Sequence, residues 1–201
     1  MESAKETIVK IDGQEYVMDV SGINKVPDFL QAIQAYIDPN NMVVEILFNG
    51  CQLSDSDWTV PFTRFNGGSF EIKTDTPTNF ALSRLREAPM IVNAILKIIR
   101  DARLFFAEGN VNEANQLMLE GVRALREFFN WFNSVFRFLP EEFVDKLDIS
   151  KIVEKLTKEC EKVASAQLYQ SWWGISETLK NNVEPLLDEL ETHIRLALRG
   201  M

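Results

Sequence analysis

Histidine, cysteine and long apolar runs are what this chain has least of: one histidine, two cysteines, and no uninterrupted apolar stretch of bilayer-spanning length in 201 residues. Each scarcity narrows the chemistry. A lone His193 cannot complete the two Glu-x-x-His pairs of a di-iron bundle, so a helix-end histidine or a surface pair with Glu189, one turn before it, is expected rather than a shared metal. Cys51 and Cys160 lie far apart without CxxC spacing, which argues against a metal ribbon or a thioredoxin-like motif and suits free thiols in a reducing compartment. Cys160 and His193 are not expected to act as nucleophile and base, because Cys160 sits on an apolar stripe where a thiol stays protonated. No G-x-S-x-G elbow occurs. Asn66-Gly67-Gly68 precedes neither a helix start nor Lys-Ser/Thr, so it reads as a tight turn, not a phosphate loop.

Positive charge is also short. Lys and Arg number 21 against 30 Asp and Glu, a formal charge of -9, and residues 1–77 hold 5 of the former against 12 of the latter. An acidic surface repels phosphate backbones and anionic lipid. Lys97, Arg100 and Arg103 line one helix edge and are expected to form a solvated polar face. The opening Met1-Glu2-Ser3-Ala4-Lys5-Glu6 lacks the basic-then-apolar order of a signal peptide. A soluble cytoplasmic protein is expected, binding neither nucleic acid nor membrane.

With 46% hydrophobic residues the chain can build real cores. Its apolar rhythm changes at residues 74–78, from short alternating runs closed by glycine to recurrence every three or four residues. That change places domain boundaries at 1–76 and 77–201. In the first part, Thr7-Ile8-Val9-Lys10-Ile11 and Tyr16-Val17-Met18-Asp19-Val20 alternate around Asp12-Gly13, a hairpin signal. Pro27 opens a helix carrying Phe29, Leu30, Ile33 and Ile37, ended by Asp38-Pro39. A strongly apolar strand over residues 42–48, a turn at Asn49-Gly50 and a last strand at Ser69-Phe70-Glu71-Ile72-Lys73 follow.

This ββαβ…β order is that of the β-grasp, and the residues resemble ubiquitin. Ile46-Leu47-Phe48-Asn49-Gly50-Cys51-Gln52-Leu53 is similar to the family's third strand, its turn and the short strand after it, and the resemblance covers about residues 7–74. It implies a mixed sheet covered by one helix. It does not imply conjugation, because the last strand runs on through Thr74-Asp75-Thr76-Pro77 instead of ending in a free Gly-Gly tail. The family's apolar recognition patch is incomplete here: Leu47 matches one member, and Lys73 stands where an aliphatic residue belongs.

The second part reads as helices. Stripes run from Ala88 to Phe106, closed by Glu108-Gly109-Asn110, and from Ala114 to Leu139, closed by Pro140, predicting an antiparallel hairpin. A third runs from Ile149 to Ala164, with Asp148 or Ser150 as its cap. A fourth runs from Trp172 to Leu198, and Pro185 interrupts it without shifting its phase, predicting a kink. Whether the first helix opens at Pro89 or near Asn79 is left open by the pattern. Four such helices bury their stripes most simply as an antiparallel bundle. The segment from Ala114 to Leu125 with Phe128, Trp131 and Phe132, and Gln170-Ser171-Trp172 with Val183-Glu184-Pro185-Leu186-Leu187, are similar to helical segments of uncharacterised bacterial proteins. That similarity carries no activity.

The expected fold class is therefore α+β, an N-terminal ubiquitin-like β-grasp followed by an antiparallel four-helix bundle. Around the helix that follows Gly109, Phe128, Phe129, Trp131, Phe132, Phe136 and Phe138 spread wider than one-sided burial requires. Successive helical residues point about 100° apart, so Trp172 joins its stripe while Trp173 faces elsewhere. Trp173, Trp131, Phe129 and Leu47 are the candidate interface residues. No catalytic, metal or cofactor residue is expected, and paired carboxylates such as Glu141-Glu142 need no catalytic account. The expected function is non-catalytic: an adaptor that binds another protein, with an export-chaperone-like bundle holding an amphipathic client segment, or a structural homodimer, as the alternatives.

Overall fold

Two residues decide how the chain begins. In the computed structural model, which describes residues 6–199, Asp12 and Gly13 both have positive φ, 48° and 88°, the turn geometry that matches strand twist. Strand β1 (Glu6–Ile11) therefore folds back on β2 (Gln14–Asp19) with Ile8 opposite Val17. The start read above for its lack of leader order lies outside the described residues, apart from Glu6. Alternation sends Val9, Ile11 and Met18 into the core and leaves Ile8 and Val17 exposed on the other face.

Helix α1 (Val26–Ile33) carries Pro27 in its first turn, and the Lys25 N–H donates to Asp28 Oδ2 at 3.1 Å. Its apolar pattern continues to Ile37, but the backbone tightens into a 3-10 turn at Gln34–Tyr36. Asp38, preceding Pro39, is disfavoured from helical geometry, so the chain leaves the helix there. Strands β3 (Met42–Phe48), β4 (Cys51–Gln52) and β5 (Ser69–Asp75) complete a mixed sheet of order β2-β1-β5-β3-β4. In it β5 lies parallel to β1 and antiparallel to β3. Phe70 of β5 packs on Phe29 with ring centroids 4.5 Å apart, and on Phe62 and Phe65 at 5.6 Å. The last two come from a 3-10 turn, Phe62–Phe65, in a segment without periodic signal. Gly68 is dictated by this cluster: a Cβ there would sit 2.1 Å from the Phe48 ring.

The chain forms two compact units, Met1–Phe80 and Ala81–Met201. The rhythm changes where β5 ends and helix α2 (Pro77–Leu85) begins, whereas the division falls inside α2. Its first turn is tied to the strand, Asn79 Nδ2 donating to Asp75 Oδ1 at 3.0 Å, and its later Ala81 and Leu85 join the helical core.

The question of the first long helix resolves as two elements. Helix α2 stops at Leu85, and α3 (Ala88–Glu108) opens with Pro89 in its first turn. Gly109, at φ 80°, caps α3, and α4 (Val111–Phe136) follows at once and packs along it. A short α5 (Glu141–Val144) and a 3-10 turn at Asp145–Leu147 lead to α6 (Ser150–Leu168). Helix α7 (Trp172–Thr178) then passes through a π turn, Leu179–Val183, into α8 (Glu184–Arg199). Helix α3 packs against α4, α7 and α8, and α6 packs against α7 and α8.

The π turn is how the chain accommodates Pro185. Proline has no N–H, and its ring collides with the carbonyl four residues back. A wider turn just before it, in which the Glu184 N–H reaches the Leu179 carbonyl, relieves that clash. The buried series Ile175, Leu179, Val183, Leu187, Leu190 and Ile194 keeps its phase through it.

Arg100 and Arg103 correct the expectation of a solvated basic edge. Arg103 Nε donates to Glu184 Oε1 at 2.6 Å, Arg100 Nε to Glu184 Oε2 at 3.3 Å, and Arg100 Nη2 to Asp188 Oδ2 at 3.0 Å. Glu184 is buried, at 8% exposure. The cluster fastens α3 to the start of α8.

Candidate interaction surfaces

The C-terminal half of α4 carries more ring area than one stripe can bury. Phe128 and Phe132 are buried, at 2% exposure each, whereas Phe129, Trp131 and Phe136 are only partly covered. The partly covered rings face two grooves. Phe129 and Phe136, with Phe132, line one wall of a groove of about 480 Å³ whose other wall is Leu147, Ile149 and Val153. Trp131 lines a second, of about 340 Å³, with Ile91, Ile95 and Ile98 of α3.

The first groove lies between the C-terminal half of α4 and the start of α6. Near the start of α4 and the end of α6, Gln167 Nε2 donates to Asn115 Oδ1 at 2.9 Å. At the opposite ends, linked through α5 and its 3-10 turn, aliphatic and aromatic side chains line the gap. Its polar margin is Asn133, Asp148, Ser150 and Glu154. A volume of this order, mostly apolar with a few polar groups, is typical of sites that take an apolar segment or small molecule.

Asp148 also sets the start of α6. Its Oδ1 accepts the Ser150 N–H at 2.9 Å, although the capping position is Ile149, with Asp148 one residue before it and Ser150 the first helical residue. Hydrogen bonds from the Ser150 backbone and hydroxyl, with lesser help from Lys151 and His193, hold the Asp148 carboxyl below its usual range. A lowered carboxyl stabilises the fold at pH values above the unfolded pKa, near 4, and loses that contribution as pH falls through the folded value. In Asp148→Asn the acid limb of a stability-against-pH curve is therefore expected to be shallower below about pH 4. An unchanged limb, read by urea unfolding at a series of pH values, would show that the Asp148 carboxyl does not titrate with folding.

The candidate interface residues fall into different surroundings. Leu47 is half-buried on the sheet face opposite the aromatic core, facing Gln52 and Glu71 in the register. Trp172 stacks on Phe106 at 5.9 Å and 7°, while Trp173, the next residue, is 75% exposed. Two residues that carry no signal in the stripes, Leu168 and Tyr169 at the end of the preceding helix, are each 84% exposed. They lie off the α6 stripe of Ile152, Leu156 and Val163. An uncharged run over residues 163–176, the longest in the chain, marks their position in the sequence.

Comparison with known protein families, curated proteins and solved structures finds no match to this chain.

Among the described residues no group of three or more His, Cys, Asp or Glu is placed to hold a metal ion, and no helix is long and apolar enough to cross a membrane. Glu189 pairs with Lys155 at 3.6 Å, so the surface pair, one of the two expectations for His193, is not formed. The His193 side chain turns inward, its Nε2 buried without a hydrogen-bond partner. Cys160 is partly buried, and desolvation, then the charge of Glu159, pushes its thiol up, the opposite of an activated nucleophile.

Proposed function

We propose that this chain is a non-catalytic protein-binding module, and that its helical unit receives an amphipathic helical segment of another protein in the groove between α4 and α6. The carrying observation is the open gap itself, about 480 Å³ walled by Phe129, Phe132, Phe136, Leu147, Ile149 and Val153. A helix laid in a groove offers apolar residues at i, i+3, i+4 and i+7, which suits an apolar gap with polar margins. The same openness favours the export-chaperone-like form of this reading, in which the segment belongs to a client, over one in which binding is confined to the sheet face.

The sheet unit is read as a ubiquitin-like β-grasp fused to a four-helix bundle. Support comes from the strand order β2-β1-β5-β3-β4, the parallel β1 and β5, and the packing of α1 Phe29 on β5 Phe70. The helical unit departs from a simple up-and-down bundle through α2, α5 and the π turn. Free Cys51 and Cys160 suit a cytoplasmic setting.

The test uses the full chain and a designed Leu/Lys amphipathic helix as probe. Binding followed by fluorescence anisotropy of the labelled probe is expected to be saturable and to weaken at least tenfold in Phe129→Glu and Val153→Glu, which put a charge on either wall. Both side chains are only partly buried, so both variants should fold. Equal affinity in wild type and variants would remove the groove as the binding site.

A further inference from the structure

The groove between α4 and α6 has margins of opposite charge. On the α4 side, Arg126, Asn133 and Arg137 stand at i, i+7 and i+11, one row within roughly 40° around the helix. That row runs beside Phe129 and Phe136, which line the groove. Both arginines are exposed, and among the described residues neither forms an ion pair. One turn from Arg126 lie Val122, Arg123, Phe129 and Asn130, and one turn before Arg137 lie Asn133 and Ser134, so α4 offers neither a carboxylate on this face. Glu127, next to Arg126, lines the second groove instead, and Glu141, four residues past Arg137, belongs to α5 beyond Pro140.

On the α6 side the sign reverses. The charged side chains in the lining of the groove are Asp148 and Glu154. Glu161, seven residues after Glu154, continues the same row. Lys158 stands between the two glutamates and pairs with Glu154 at 2.7 Å, both side chains exposed. An exposed pair of this kind contributes little, so Glu154 stays open to a second cation. Lys151 and Lys155 lie two residues either side of Val153, which places them on the far face of α6. Three carboxylates against one ammonium leave this margin negative.

Unpaired charges of opposite sign on the two sides of an open gap describe its occupant. A helix lying apolar face down has two flanks, one over each margin, as the e and g positions of a coiled coil do. Carboxylates suit the flank over α4 and cations the flank over α6. A helix of one sign meets like charge on one side. A second copy of this chain, brought to this face by a two-fold axis, would set groove against groove and fill neither.

We propose that the α4–α6 groove takes a helix of another protein whose flanks carry opposite charges, acidic toward Arg126 and Arg137 and basic toward Asp148, Glu154 and Glu161. This rests on the reading of the groove as a helix site. The margins also fix the direction of the helix, because turning it end for end exchanges its flanks.

The experiment measures anisotropy of four labelled helices on the full chain at low salt. All four share one leucine face; the flanks are Glu and Lys, the same two exchanged, Glu on both, or Lys on both. Either mixed helix is expected to bind roughly fivefold tighter than either uniform one, a difference that 0.5 M salt removes. The two mixed helices should lie in opposite directions. A nitroxide at the probe N-terminus should therefore broaden α4 amide resonances near Arg126 with one and near Arg137 with the other. In Arg126→Glu with Arg137→Glu, the helix with Lys on both flanks should become the tightest of the four. Both arginines are exposed, so circular dichroism should show this variant folded. Equal affinity for all four helices, or indifference to the arginine substitutions, would overturn the proposal; the groove reading would stand as long as Phe129→Glu weakens every probe. Binding unmoved by Phe129→Glu removes both. A mass that doubles with concentration in the wild type, but not in Phe129→Glu, would make a second copy the occupant and equally overturn it.

Discussion

Replacing Glu184 with alanine is expected to destabilise the helical unit by about 3 kcal/mol, the low end of the range for breaking a buried ion pair. Glu184 is 8% exposed and is the shared acceptor for Arg103 and Arg100. Removing it leaves the Arg103 guanidinium, itself largely covered, without a partner in a poorly hydrated place. Arg100 suffers less, because it is nearly half exposed and keeps Asp188. The loss therefore comes mainly from one stranded cation rather than from the attraction that disappears. Substituting both partners, as Arg103→Met with Glu184→Leu, removes the stranded charge and should recover most of the stability. Urea unfolding of the single and double variants checks this. Equal losses in both would mean that the carboxylate supports the π turn directly and that the ion pair is incidental.

That cluster shows where sequence reasoning stops. Arg100 and Arg103 look like any solvated helix edge, and Glu184 like any acidic residue at a helix start, because each lies in its own local pattern. Only the crossing of α3 with α8 brings them together. Likewise the period of the last helix fixes its buried face from Ile175 to Ile194, but a proline at position 185 is equally compatible with a kink and with the π turn. Helix α5 and the Phe62–Phe65 turn are four residues each, barely one period of the apolar pattern and too short to repeat it. The hairpin, in contrast, is legible because Asp12-Gly13 meets a purely local requirement for positive φ. Of the candidate surface, Trp173 is legible since its neighbour occupies the stripe. The groove is not, because an aromatic excess on α4 reads the same whether a neighbouring helix covers it or stands off. Leu168 and Tyr169 continue a helix in composition, whereas the helix ends at Leu168 and the chain turns through Tyr169 and Gln170, the latter at φ 53°.

The second large effect is expected in the other unit. Phe70→Ala should cost about 3–5 kcal/mol, the range for deleting a fully buried phenylalanine. Phe70 has no exposed surface and meets Phe29, Phe48, Phe62 and Phe65, with centroids between 4.5 and 5.6 Å. The strands on either side place Val9 and Phe48 against it in the register. Its removal leaves a cavity that rings fixed by one another cannot collapse to fill, so the cost should lie above that of transfer alone. Ile8→Ala, on the same sheet but on its exposed face, should cost well under about 1 kcal/mol. The sheet core shares no residue with the helical core. Hydrogen exchange followed by mass spectrometry should therefore show protection in β1, β3 and β5 falling by roughly two to three and a half orders of magnitude, at roughly 1.4 kcal/mol per tenfold. Amides of α3 and α8 should keep theirs. Loss of protection in α3 and α8 to the same extent would mean that the two units unfold as one cooperative body, and the sheet unit would then have no stability of its own to lose.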